Sequence, residues 1–208
     1  MSSLLSTVAH AVHADLRQQD VHCPRTHILE LLASLLGYRT YAALNSTSFV
    51  PTSLVQAEEI VFHKELADSR AEEIGESSIV VEACLRRLIR ALEGHGPRVH
   101  DGLLAFMVHT QQQPVLGDET VSSVMNSDEW AYGHITWDLP QLVYEESHLW
   151  DSREQWSYRA SFNIWCEDDD HSCVAGIGIL ATMTYTKVGR AGLRLVRSEI
   201  QTSEPWLQ

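Results

Sequence analysis

The hydrophobic pattern changes period part-way along the chain, and this restricts the fold more than any other feature. Up to about residue 113 the apolar residues recur at three-to-four spacing, as on amphipathic helices. Beyond residue 155 they alternate, as on strands with one covered face. Leu5, Val8, Ala9, Val12 and Leu16 give the first helical stripe, and Ile28, Leu31, Leu32 and Leu35 the second. Pro24 separates them, Thr26 is placed to cap the second, and Gly37 stops it. Tyr38 to Leu44 reads as a short third helix, so residues 26–44 form a helix-turn-helix-like unit. A longer helix is expected from Ser53 to about Ile74, with Gln56 in capping-box position. Val81, Cys84, Leu85, Leu88 and Leu92 mark the next, where Glu82 stands one turn before Arg86. Gly94-His-Gly-Pro97 breaks it. A helix capped by Asp101 then carries Leu103, Phe106 and Met107, before an exit loop at Gln111 to Pro114.

In Trp156 to Cys166 the even positions are Trp, Tyr, Ala, Phe, Ile and Cys, and all the odd ones but Trp165 are polar. That is a half-covered strand. Cys173 to Thr186 alternates again, with Gly176 and Gly178 leaving room on its other face for a ring or a backbone. A turn over residues 187–192 leads to a third strand, Leu193 to Gln201, with a bulge expected at Leu195-Val196. Shorter strands are expected at His134–Trp137 and Leu142–Tyr144. Helices followed by strands imply an α+β fold: a helical module over residues 1–113 and an antiparallel β-meander over residues 114–208.

The run His27-Ile-Leu-Glu-Leu-Leu-Ala-Ser-Leu-Leu-Gly-Tyr-Arg-Thr-Tyr-Ala-Ala-Leu44 resembles a short helical module of bacterial proteins labelled glyoxalase-related. The resemblance covers about residues 4–46 and rests on the leucine pattern followed by Gly-Tyr-Arg, an aromatic residue and Leu. It implies a bacterial origin and a mobile-element setting, and no chemistry. The metal-binding glyoxalase fold is not recognisable in the rest of the chain, so no catalytic residue carries over.

The formal charge is −13, unevenly placed. Residues 1–52 are neutral, residues 53–113 carry −4, residues 114–173 carry −11, and residues 174–208 carry +2. The acidic stretch cannot neutralise phosphates, which excludes it as a nucleic-acid surface. For the neutral N-terminal module, Arg39 and Thr40 are the candidate nucleic-acid contacts. The first fourteen residues contain no Lys or Arg, and no apolar run approaches the roughly 20 residues of a membrane span. A cytoplasmic protein with reduced thiols and no membrane association is expected.

Phosphate-loop, Gly-x-Ser-x-Gly and His-Glu-x-x-His patterns are absent from the sequence, and no catalytic residue and no cofactor are assigned. Cys166, His171 and Cys173, with Asp168 and Asp170, are the densest group of ligand types. Their spacing is not that of a structural zinc site. His134, Asp138, Glu145, Glu146 and His148 form a second such group. More telling, eight Trp and Tyr residues fall within residues 130–165, interleaved with acids. Trp165 stands on the polar face of its strand, and Trp150 lies in a loop. Together with Glu145, Glu146, Asp168, Asp169 and Asp170, they are the expected binding surface for a protein partner with a basic patch. The reading is a non-enzymatic accessory protein, in its sharpest form an acidic inhibitor from a phage or mobile element. The alternatives are a DNA-binding regulator using residues 26–44 and a metal-dependent enzyme with its site in the sheet half. A homo-oligomer is left open.

Overall fold

The computed structural model describes residues 4–47, 51–127, 130, 133–167 and 173–207. The fold is α+β, with a mostly antiparallel sheet built from the C-terminal strands. Composition places a boundary at residues 113/114, whereas the chain packs as two units whose segments alternate along it. Unit 1 comprises Met1–Phe106, His148–Gln155 and Thr186–Arg194, and unit 2 comprises Met107–Ser147, Trp156–Tyr185 and Leu195–Gln208.

In unit 1, α1 (Leu4–Gln18), α2 (Arg25–Leu35), α4 (Lys64–Glu73) and α5 (Ser78–Glu93) turn their apolar stripes onto one core. The five residues of the first stripe are all buried, and so are Ile28, Leu31, Leu32 and Leu35. Helix α2 starts at Arg25, and its flanking residue Pro24 makes no side-chain cap, so Thr26 is inside the helix. Charged clamps hold the helices in register. Arg70 on α4 reaches Glu30 on α2 at 2.9 Å, and the same carboxylate oxygen accepts the Tyr41 backbone N–H. On α5, Arg87 donates to Asp15 of α1. The expected Glu82–Arg86 pair is present at 3.1 Å, on the exposed face.

The long helix expected from Ser53 is divided. A 3-10 turn covers Pro51–Gln56, strand β1 follows at Glu59–Val61, and α4 begins only at Lys64. Ile60, Val61 and Phe62 are each fully buried in succession, which one helical face cannot provide. Strand β1 instead runs parallel to β2 (Arg98–His100), pairing Ile60 with Val99, while Glu59 and Ile60 pair antiparallel with the start of β7 (Gly192–Thr202). His100 is 6% exposed and meets the Glu59 carboxylate at 2.6 Å.

Helix α6 (Leu103–Leu116) passes into unit 2, followed by α7 (Glu119–Met125), which Asp118 caps through the N–H groups of Thr120 and Val121. The exit loop expected at Gln111 to Pro114 is helical. Proline removes one N–H bond, yet the helix runs on to Leu116, with Val115 fully buried in the unit 2 core. In unit 2, β3 (His134–Trp137) and β4 (Gln141–Glu145) both pair antiparallel with β5 (Gln155–Glu167). Next to β5 lies β6 (Cys173–Val188), which also pairs with β7 and with β8 (Trp206–Leu207). The even positions of β5 are all buried, as its alternation requires. Of these, Phe162, Ile164 and Cys166 meet Ala175, Ile177, Ile179 and Ala181 of β6 in a core completed by Val115, Val121 and Trp130. Trp156, Tyr158 and Tyr185 form a second group of rings, with Trp156 and Tyr158 centroids 4.7 Å apart. Gly178 has the close neighbour its size permits: it donates its N–H to the Ser203 hydroxyl, and the Ser203 N–H donates to its carbonyl.

Candidate functional sites

In unit 1 the Gly-Tyr-Arg run becomes the corner of a built cavity. Helix α2 ends in a Schellman motif, with Tyr38 N–H bonded to Ala33 O and Gly37 N–H to Ser34 O. That motif needs a left-handed residue, and Gly37 has φ +82°. The glycine is required a second time by packing, since a Cβ there would stand 3.0 Å from Trp150 Cδ1 and 3.3 Å from Arg190 Cβ. Arg190 donates to the Gly37 carbonyl at 2.9 Å and sets its guanidinium over the Tyr38 ring, 5.1 Å from the centroid. Lys187 is buried, and its ammonium donates to the carbonyls of Leu149 and Arg190. A buried cation is tolerable here because backbone carbonyls satisfy it. The lysine thereby joins the segment carrying Trp150 to the segment carrying Arg190.

Trp150 is half-buried. Its indole lies on the His63 imidazole, with centroids 4.0 Å apart and planes at 23°, and its N–H donates to Val61 O at 3.0 Å. His63 in turn caps α4, its Nδ1 accepting from the Leu66 N–H. The resulting groove, about 780 Å³, is lined by Tyr38, Arg39, His63, Glu65, His148, Asp151 and Arg190 among others. Charges of both signs face it, and the stacked rings form one wall. Of the two proposed nucleic-acid contacts, Arg39 is exposed. The Thr40 hydroxyl caps α3 (Tyr41–Asn45) by accepting the Ala43 N–H at 3.0 Å. Tyr38 and Leu44 are buried in the module.

In unit 2 the outer strands β3 and β4 and the short segment between them carry exposed apolar side chains. Leu139 is 65% exposed, Val143 56% and Tyr144 58%, with Ile135 and Leu142 also on the surface. The pairing of β4 with β5 slips between Leu142 and Tyr144, so β4 does not continue a regular covered face. Glu146, just past β4, is exposed. Glu145 has an internal task, accepting the Trp156 indole N–H at 2.9 Å. Trp165 is half-buried, and its indole donates at 2.8 Å to Asp138, whose other oxygen accepts from Asn163. Asp138 and Asn163 line a groove of about 740 Å³ with Ser161, Gly178 and Ser203.

Asp168, Asp169, Asp170 and His171, and the Cys173 side chain, lie outside the described residues. Cys166 is fully buried in the apolar core of unit 2, against Gly133, which leaves no room for a Cβ. Among the described residues no three His, Cys, Asp or Glu side chains gather as metal ligands. The second group of ligand types is divided, His148 belonging to unit 1 and the other four residues to unit 2. The unit 1 groove was not foreseeable in full. The Gly37 turn signalled one side, but Lys187 and Arg190 read only as a turn between strands. Among the described residues, no helix is long and apolar enough to cross a membrane. No protein family, no curated protein and no solved structure matches the chain.

Proposed function

We propose that the protein acts by binding a protein partner with a basic surface, through the outer strands β3 and β4 of unit 2. The observation that carries this reading is the exposed group Ile135, Leu139, Leu142, Val143 and Tyr144, followed directly by acids at the end of β4. Soluble chains rarely leave contiguous apolar side chains on an outer strand unless something covers them. Apolar anchors supply the affinity, while the acidic segment, −11 over residues 114–173, speeds encounter with a cationic partner. Asp168, Asp169 and Asp170 contribute to that charge. In its finer form, the acidic segment takes the place of phosphates in the partner's nucleic-acid cleft. That accords with the phage or mobile-element setting which the N-terminal resemblance implies.

The test is association kinetics with the partner captured from the native cell. Glu146→Lys, together with Lys at positions 168–170, should slow association at least tenfold at low salt, with dissociation little changed. Tyr144→Ala should raise the dissociation rate instead. Equal rates for all variants would contradict the reading. Competition by duplex or single-stranded nucleic acid for the same partner tests the finer form.

A further inference from the structure

Unit 1 contains two thiols in mutual contact that the binding reading does not employ. Cys23 lies in the loop between α1 and α2, and Cys84 in the second turn of α5. Their sulfurs are 3.8 Å apart, and the residues are 2% and 1% exposed. Ionisable groups flank the pair. Glu76, with its side chain only 10% exposed, acts on both thiols and bonds to His27 at 2.6 Å. Arg87 lies one turn beyond Cys84 on α5 and favours its thiolate. Alongside opens a cavity of about 930 Å³, lined in part by Val21, Glu76, Ala83 and Arg87. Neither cysteine lines that cavity, so an oxidant reaches the sulfurs from it only as the Cys23 loop moves.

The geometry points to Cys23 and Cys84 as a reversible dithiol–disulfide pair, oxidised by a hydroperoxide. A disulfide bond is about 2.05 Å long, so the sulfurs must close by about 1.8 Å. Cys23 stands outside helical structure, and the loop it occupies supplies that movement. The two thiols are not equivalent. Cys84 is held below the usual thiol range, chiefly by the hydrogen bond it shares with Cys23 and, to a smaller extent, by the Arg87 charge. Cys23 is held well above that range by the same shared proton, by burial and by Glu76. With the Arg87 guanidinium one turn along the same helix to favour its thiolate, Cys84 is the attacking sulfur, and Cys23, in the movable loop, the resolving one.

The Cys84 thiolate attacks one peroxide oxygen: an S–O bond forms, the O–O bond breaks, and hydroxide leaves with the electron pair. That hydroxide takes the proton which Cys84 released, giving water and a Cys84 sulfenic acid. Loss of the Cys84 thiolate also removes its charge from beside Cys23, so the second thiol ionises more readily. Glu76, in hydrogen-bond contact with Cys23, receives that proton. The Cys23 sulfur attacks Sγ of Cys84, the S–S bond forms and the S–O bond breaks. The departing hydroxide takes the proton from Glu76. The two thiols have then given up two electrons and two protons, and hydrogen peroxide has become two waters.

The test treats the whole folded chain with hydrogen peroxide, alkylates remaining thiols, digests without reductant and maps the peptides by mass. The expected result is a linked pair containing Cys23 and Cys84, two hydrogens lighter than the separate peptides and separated again by dithiothreitol. The link should persist in a Cys166→Ser/Cys173→Ser chain. The oxidised chain should unfold at higher urea, since the tie between residues 23 and 84 restricts the unfolded state. In Cys23→Ser, dimedone should capture a sulfenic acid on Cys84, which inert packing would not produce. Should that variant fail to fold, the peptide map of the native chain still decides the matter. Full alkylation of both cysteines after peroxide, or a link from either one to Cys166 or Cys173 alone, would overturn the assignment.

Discussion

Trp150 lies face to face with His63, ring centroids 4.0 Å apart, while its indole N–H donates to the carbonyl of Val61. One side chain thus fixes three things: the loop that carries it, the cap of α4 and the end of β1. Trp150→Ala should lower unit 1 stability by roughly 2–4 kcal/mol, near the lower part of the range for removing large rings because the ring is half-buried. Trp150→Phe keeps a ring on the imidazole but leaves the Val61 carbonyl without its donor, at about 1 kcal/mol. Urea midpoints of the two variants give the ordering. Equal losses would mean that the ring stacked on His63 contributes nothing beyond the indole N–H.

Gly37 and Gly75 separate backbone strain from packing. Both have positive φ, +82° and +75°, but a Cβ at Gly75 meets nothing within 4 Å, whereas at Gly37 it meets Trp150 and Arg190. Gly75→Ala should lose only the left-handed backbone preference, about 1 kcal/mol. Gly37→Ala should lose that and force Trp150 or Arg190 to shift, for roughly 2–4 kcal/mol in all. Denaturant titrations measure both, and intrinsic tryptophan fluorescence should move only in the Gly37 variant, where the added Cβ meets Trp150.

The Glu59–His100 contact, 2.6 Å long and largely buried, should behave as a unit. Glu59→Ala removes one partner, leaves the imidazole enclosed without it, and should cost about 2–4 kcal/mol. Replacing both residues by leucine should recover part of that loss, because neither member of the pair is then left enclosed without the other, while Arg98, also paired with Glu59, is exposed to water. Thermal or urea unfolding of the single and double variants gives the coupling energy. Strict additivity would show that the two side chains act separately.

Tyr38 carries a pH dependence. Burial holds its phenol above the usual tyrosine range, against the smaller opposing effects of the Thr47 hydrogen bond and the Arg190 charge. The unfolded chain ionises near pH 10 and the native state only above it. Stability from this residue is therefore complete below about pH 10 and is lost as pH rises through the higher native value. Tyr38→Phe should flatten the alkaline decline, read as urea midpoints measured across that pH window.

How much of this was legible beforehand depended on whether an element's partners lie near it in sequence. The alternation of Trp156 to Cys166 reports one covered face, and the strand matches it residue by residue. The stripe of α5 was equally plain, as was its Glu82–Arg86 pair. By contrast, Ile60-Val-Phe62 sits between runs of helix-forming residues, and only a parallel partner at Arg98–His100 makes it a strand. The helix through Pro114 likewise depends on Val115 finding a distant core. For the unit 1 groove, the Gly37 turn was local and readable. Its meeting with Trp150, Lys187 and Arg190 is a product of tertiary packing, which no spacing rule reports. The exposed face of β4 was hidden for a related reason: alternation reveals a strand, and only the structure reveals that neither side of it is covered.

The most direct test of partner binding through β3 and β4 is site-specific photo-crosslinking in the native cell. A photoreactive residue at Val143 should yield one dominant adduct with a basic protein, and the same residue at Ile79, equally apolar and 78% exposed in unit 1, should not. An adduct with a second copy of this chain would make the surface a self-association interface and contradict the basic-partner reading. Indistinguishable adducts from the two positions would contradict binding through these strands altogether.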